Sequence, residues 1–327
     1  MGEIGWGILG AGKIASAFAA DITGDGMHVS AVGARDVKRA AEFGSRFGAA
    51  RAYGSYEELV ADPAVDVVYI ATPQPFHAAQ ALLAISAGKA VLIEKSFTRT
   101  LAEAESVAAA ARSAGIFAME AMWSRFLPSM VELRARIADG LIGDVLEVHA
   151  SHHQKLSADP DNRHYDPALG GGALLDLGVY PISLAVEVLG APLSIHGRGL
   201  ATDRGVDTRV SGVLDHGHGR LSTFSTAMDL PGPVRASVHG TAGFVEFDPW
   251  WFTNVGWTRW DAGRPGVVVE RFEAPQSSLR GMHYQAREVE RCLAAGLFES
   301  PAMTLQDSVN VMGVLEELER QVVGDAD

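Results

Sequence analysis

The sequence predicts an α/β chain in two parts: an N-terminal doubly wound parallel sheet, then an α+β domain with a mostly antiparallel sheet. Three observations predict it. Short, continuously apolar runs alternate with helical patterns over the first 120 residues. A glycine-rich turn follows the first apolar run and opens the first helical pattern. After about residue 121 the texture changes to alternating β-type runs divided by Gly/Pro turns. The domains are therefore expected at 1–121 and 122–327, with a last helix that can pack back on the N-terminal domain.

The first-domain strands are expected at 4–9, 28–34, 65–71, 89–94 and 115–120, with helices at 13–21, 36–47, 55–61, 76–87 and 100–113 between them. A helix at 128–139 starts at Pro128, and a Gly- and Asp-rich loop covers 157–172. Strands are expected at 208–216, 220–228, 234–240, 243–248 and 266–272, and helices at about 281–296 and 304–323. The stretch "GGGALLDLGVYP" (170–181) runs from three glycines into an apolar helical pattern holding Asp176 and Tyr180. Four residues apart, the two share one face of a regular helix.

Composition narrows the function. With 27 basic and 40 acidic residues, the net charge of −13 repels phosphate backbones and anionic lipid, so neither nucleic acid nor membrane is an expected partner. No apolar run long enough to cross a membrane stands out. The single cysteine, Cys292, excludes an intrachain disulfide and a cysteine metal cluster, and fits a reducing, cytoplasmic location. The histidines show no metal-ligand spacing with acidic partners, so no metal is expected. The apolar start carries Glu3 and no basic residue ahead of its small-residue run, and Lys13 interrupts it, which argues against an export signal.

Gly10, Gly12 and Ala15 form a G-x-G-x-x-A spacing between a strand and a helix. Such a turn lets backbone N–H groups approach a pyrophosphate at the helix N-terminus. The second strand ends in "VGARDVKRA", with no acid at 34 or 35 for a ribose 2′-OH. Arg35, with Lys38 and Arg39 one turn later, suits a 2′-phosphate, so NADP is expected rather than NAD. Arg35 and Lys38 also read as solvated charges at a helix start that Asp36 caps.

The motifs "ATPQPFHAAQALLAISAGKAVLIEK", "EKSFTRTLAEAE", "MEAMWSRFLP", "IGDVLEVHASH", "GGGALLDLGVYP" and "SPAMTLQDSVNVMGVLEEL" cover nearly the whole chain in order. With the glycine turn, they resemble the Gfo/Idh/MocA oxidoreductases, and in particular the branch of dihydrodiol dehydrogenases and NADP-dependent D-xylose dehydrogenases. The resemblance implies a Rossmann domain plus a C-terminal domain with a large, open, mostly antiparallel sheet. That sheet would form the interface of a homodimer or homotetramer. An exposed sheet face carrying "FDPWWF" (247–252) would otherwise be an apolar liability.

Residue by residue, the resemblance assigns Gly10, Gly12, Lys13, Ile14, Arg35, Lys38, Thr72, His77, Glu94 and Lys95 to the cofactor. Lys95 matches the lysine of a Glu-Lys-Pro motif, but position 96 is Ser, which prefers a trans peptide bond. Lys95 also reads as a strand-end surface lysine, and His77 as a helix-start histidine. Lys95, Asp176 and Tyr180 are the implied catalytic residues. Tyr180 stands where many relatives have His. A phenol is a poor base at its ordinary pKa, about 10, which a nearby lysine ammonium would lower. Substrate contacts are expected from Trp123, Arg125, Phe126, Arg163, Asp176 and Tyr180; interdomain packing or ion pairs would explain the first four equally well. The expected activity is NADP-dependent hydride transfer on a cyclic sugar at C1 or a trans-dihydrodiol. The alternatives are an NAD-dependent inositol or polyol dehydrogenase and a non-catalytic, cofactor- and sugar-sensing regulator.

Overall fold

The computed structural model describes residues 3–157, 159 and 161–324. It divides into two compact units, Met1–Phe126 with Ser277–Val309, and Leu127–Gln276 with Asn310–Asp327.

In the first unit, β1 (Gly5–Leu9), β2 (His28–Gly33), β3 (Arg51–Tyr53), β4 (Val67–Ile70), β5 (Ala90–Glu94) and β6 (Ala118–Ala121) form one sheet in the order β3-β2-β1-β4-β5-β6. Every pairing is parallel. The connecting helices are α1 (Lys13–Gly24), α2 (Val37–Phe47), α3 (Tyr56–Ala61), α4 (His77–Ser86) and α5 (Leu101–Ala114). Strands β1, β4, β5 and β6 are buried at every position, which is why they read as apolar runs broken by Glu94 and Glu120 alone. In the core Trp6 meets Phe18 edge-on, with ring centroids 5.5 Å apart, and Phe18 stacks on Tyr69 at 3.8 Å.

The segment Ser277–Val309, with α8 (His283–Ala294), belongs to this unit. The sequence reading puts 122–327 in the second domain and lets only a last helix pack back, whereas here Ser277–Val309 groups with the first unit. Its attachment is polar: the buried Asp21 carboxylate accepts from the backbone N–H groups of Arg280, Gly281 and Met282 at 2.9, 2.8 and 2.7 Å. Trp6 Nε1 donates to Glu290, and Arg287 pairs with Asp25.

In the second unit, α6 (Pro128–Ala138) and β7 (Val145–His153) precede α7 (Val179–Leu189). Strands β8 (Ser194–Ala201), β9 (Asp207–Asp215), β10 (Leu221–Ala227), β11 (Ala236–Gly240), β12 (Gly243–Phe247), β13 (Trp257–Asp261) and β14 (Val268–Phe272) follow. Helix α9 (Leu305–Val323) belongs to this unit from Asn310 onward. The sheet order is β14-β13-β12-β11-β7-β10-β9-β8; only β7–β10 is parallel. Val148, Ala150 and His152 of β7 point to its buried face.

Three expectations change here. "FDPWWF" is not an exposed sheet face: Phe247 and Trp251 are each 1% exposed, and Pro249 and Trp250 are the exposed residues of the segment. Pro167–Leu189 is a helical run long and apolar enough to span a membrane, but it is mostly buried, as a core helix is. "GGGALLDLGVYP" is not one regular helix: Leu174–Gly178 forms a wide π turn that leads into α7.

Candidate active site

Gly12 is the N-cap of α1, and no side chain caps that helix among the described residues. Helices α2, α3 and α5 are capped by Asp36, Ser55 and Thr100. Among the described residues, nothing outside its own chain neighbours and helix backbone lies within 4 Å of where a Gly12 Cβ would stand. Open space at an uncapped helix start is what a pyrophosphate requires, so these residues fit a dinucleotide. Gly10 has φ +103°, and its N–H donates to the Gly33 carbonyl at 2.8 Å, which fixes the turn. Lys13 and Ile14 are exposed on the first turn of α1.

At the end of β2, Arg35 and Lys38 are exposed, and Asp36 caps α2 by accepting from the Lys38 N–H at 2.9 Å. Burial raises the Tyr56 phenol, and the Arg35 charge pulls it back in part, so that guanidinium lies near Tyr56. Arg39 Nη2 donates to the Ala11 carbonyl at 3.0 Å. The basic cluster is thus tied to the glycine turn by Arg39, a residue that the sequence offers only as one more charge.

Lys95 follows β5 at its carboxyl end and is half-buried. The Lys95–Ser96 peptide bond is cis, where a serine predicts trans. Ser96 is fully buried and its carbonyl oxygen is 3.0 Å from His77 Nδ1, so its surroundings set the backbone path. His77 Nε2 is 2.8 Å from the Thr72 carbonyl. A neutral imidazole has one N–H, so it donates to one of these carbonyls only. Burial holds His77 below its ordinary pKa, and the Lys95 charge adds to that. The ring is 1% exposed and fastens the loop after β4 to the Lys95 turn. Thr72 Oγ1 donates to Gln80 at 2.6 Å, and Glu94 accepts from the Tyr69 hydroxyl.

Glu120, next to this turn, gave no signal in the sequence. Burial pushes its carboxyl up to about 7. Ser308, Arg125 and the Phe97 backbone favour its charged form, yet among the described residues no hydrogen bond of regular geometry reaches either oxygen. Of the expected substrate contacts, Trp123 and Phe126 lie on a short 3₁₀ turn, with Phe126 buried. Arg125 is also buried; its Nη1 pairs with Asp307 at 3.2 Å and reaches the Ala302 carbonyl at 3.4 Å, all within the first unit. Arg163 is exposed on the turn Arg163–Tyr165.

In the second unit, Tyr180 at the start of α7 is 7% exposed and packs in a ring cluster. Its ring centroid lies 5.3 Å from His152 and 4.8 Å from Phe252, and those two stack at 4.4 Å. Neither partner was expected; both arrive from elements distant in sequence. Asp176, on the π turn, faces His164 Nε2 at 3.7 Å through its Oδ2. Asp207 is buried at the edge of this turn, with its carboxyl pushed up to about 7 by burial.

A Rossmann sheet with an uncapped glycine turn, joined to a second, mostly antiparallel sheet, defines a nucleotide-binding oxidoreductase. The chain belongs to the Gfo/Idh/MocA oxidoreductase family. Residues 4–121 match the model described as oxidoreductase family, NAD-binding Rossmann fold, and residues 130–246 match the GFO/IDH/MocA C-terminal domain. It is 38% identical over 325 residues to a trans-1,2-dihydrobenzene-1,2-diol dehydrogenase of Mus musculus, covering 97% of this chain and 96% of that one. The Homo sapiens protein of the same name is 36% identical over 323 residues, with the same coverage. Among solved structures, an aldose-aldose oxidoreductase from Caulobacter crescentus, complexed with glycerol, superposes with a TM-score of 0.85 at 27% identity. That match covers 98% of this chain and 97% of the other. A 3-ketoreductase from Actinomadura kijaniata, in complex with NADP and TDP-benzene, gives 0.83 at 26%, covering 97% of each chain. The chain is a dehydrogenase or reductase of this family.

Proposed function

We propose that this enzyme is an NADP-dependent dehydrogenase acting on a secondary alcohol of a ring that bears a neighbouring hydroxyl, a trans-dihydrodiol or a cyclic sugar. The observation that carries the reading is the segment holding Asp176 and Tyr180. It presents a carboxylate on a wide turn and, next to it in the chain, a phenol set among rings. The relatives named for a dihydrodiol and an aldose support the substrate class.

The nicotinamide, when bound, supplies the hydride acceptor. In this reading Tyr180 acts as phenolate to take the proton of the reacting hydroxyl, and as phenol returns it in the reverse direction. Asp176 accepts a hydrogen bond from the neighbouring hydroxyl. Lys95 supplies positive charge, and His77 holds the turn that carries it. Gly10, Gly12, Lys13 and Ile14 hold the pyrophosphate. Arg35, Lys38 and Arg39 favour NADP, because guanidinium groups pair with a 2′-phosphate. We place the enzyme in the cytoplasm as a homodimer or homotetramer through the outer face of the eight-stranded sheet. The stacked His239, Phe244 and Trp260 rings support that interface.

The test is NADP reduction measured against a panel of vicinal diols and aldoses, with NAD in parallel. Turnover of at least one diol or sugar, abolished in Tyr180→Phe, is expected. A silent panel with tight NADP binding overturns the reading in favour of a sensor.

A further inference from the structure

We propose that His164 is a positioning residue for Asp176, and that the pair sets how firmly the enzyme holds the hydroxyl beside the reacting one. The inference rests on the reading that Asp176 binds that hydroxyl. His164 Nε2 lies 3.7 Å from Asp176 Oδ2, beyond hydrogen-bond length and within ion-pair reach when the imidazole is protonated. The two side chains are 16% and 21% exposed, and a pair so shielded is screened less than one on the surface.

The loop is built to deliver this imidazole. Asn162 Oδ1 caps its turn by accepting from the His164 N–H at 3.2 Å. Tyr165 packs on the cluster of Ala173, Leu177, Val206 and Met228. Gly171 passes so close that a Cβ there would stand 2.6 Å from the His164 carbonyl oxygen, and its N–H donates to the Asp166 carbonyl at 2.9 Å.

Asp176 is anchored independently. Asp207 Oδ2 accepts from the Leu174 N–H at 2.8 Å, two residues before it. Asp207 Oδ1 is 2.3 Å from where a Gly172 Cβ would stand. Loop and π turn are each pinned, so this is not a chance meeting of two flexible surface chains. An imidazole that faces Oδ2 fixes the rotation of the carboxylate, and with it the direction in which the other oxygen accepts a hydrogen bond. Such a fixed acceptor discriminates for a substrate that carries the second hydroxyl.

The experiment is a double-mutant cycle on the NADP-loaded enzyme, with trans-1,2-dihydrobenzene-1,2-diol or the best substrate of the panel. The variants are His164→Phe, Asp176→Asn, their combination and His164→Gln. NADP affinity by fluorescence titration and the melting temperature are measured alongside. His164→Phe should raise KM about 10-fold, with a smaller change in kcat and unchanged NADP affinity. His164→Gln, which keeps an N–H, should recover most of the loss. In the Asp176→Asn background, His164→Phe should add nothing. Full additivity overturns the proposal, because His164 would then act elsewhere. An Asp176→Asn enzyme with wild-type KM and kcat instead overturns the reading of Asp176 itself. Should His164→Phe melt early, His164→Asn, too short to reach the carboxylate, takes its place in the cycle.

Discussion

The backbone N–H of Leu174 and the carboxylate of Asp207 are joined by a buried 2.8 Å hydrogen bond that ties the π turn to β9. Burial pushes the Asp207 carboxyl up to about 7; the Leu174 N–H opposes the rise and the Glu319 charge adds to it. Glu120, in the other unit, is likewise raised by burial to about 7. Both values lie above the ordinary carboxyl range of about 4. Each group therefore contributes stability that is complete below about pH 4 and is lost as pH rises through about 7. The Glu120→Gln variant should match the wild type in urea at pH 5 and exceed it at pH 8. Parallel stability curves across that range would remove Glu120 from the account. Asp207→Ala should cost about 1–3 kcal/mol, because it leaves the Leu174 N–H buried without an acceptor.

Gly12 and Gly10 should separate binding from folding. Gly12 has an ordinary φ of −93° and open space around its missing side chain. Gly12→Ala should change stability by under about 1 kcal/mol. Its methyl would occupy the pyrophosphate space and weaken NADP about 10-fold or more, the equivalent of a modest overpacking. Gly10 has φ +103°, and a Cβ there would stand 3.1 Å from the Ala71 carbonyl oxygen. Gly10→Ala should cost about 1–3 kcal/mol of folding stability. Calorimetry and fluorescence titration on both variants check the contrast.

Arg39 and Arg35 make the cofactor preference testable. Replacing either with Ala should weaken NADP far more than NAD, since only NADP carries the 2′-phosphate. Arg39→Ala also removes the contact with the Ala11 carbonyl, so a small loss of NAD affinity should accompany it. Equal losses for the two cofactors in both variants would sink the phosphate assignment.

Asp21 should be among the most sensitive positions of the first unit. Asp21→Ala would leave the N–H groups of Arg280, Gly281 and Met282 without their carboxylate. With about 1–3 kcal/mol for each buried unpaired group, the loss should exceed about 3 kcal/mol. Urea unfolding measures it; a loss below about 1 kcal/mol would mean that water replaces the carboxylate.

Much of this was legible because period and burial coincide. The central parallel strands are buried on both faces and spell mostly apolar runs, and Gly10 and Gly12 are informative because their spacing falls between a strand and a helix. What escaped has physical causes. β3 is three residues long, and β8 buries little more than Gly197. β7 turns Val148, Ala150 and His152 inward, a pattern too polar to read as a core face. β13 is short, with only Trp257 of its five residues fully buried. The rings around Tyr180 and the imidazole opposite Asp176 come from a strand and two loops, contacts that no local spacing encodes. The π turn was also hidden, since its apolar content matches that of an α-helix.

The carboxylate of Asp21 also bears on how the chain is made. The first unit looks complete once β6 has emerged from the ribosome, and domains generally fold in order of synthesis. Yet Asp21 is buried against amides that are translated more than two hundred residues later. Until they arrive, the Asp21 carboxylate lacks these three donors. The nucleotide-binding half is therefore complete only after the entire eight-stranded sheet has been synthesised. A fragment ending at Gln276 should for the same reason be a poor stand-in for the nucleotide-binding half.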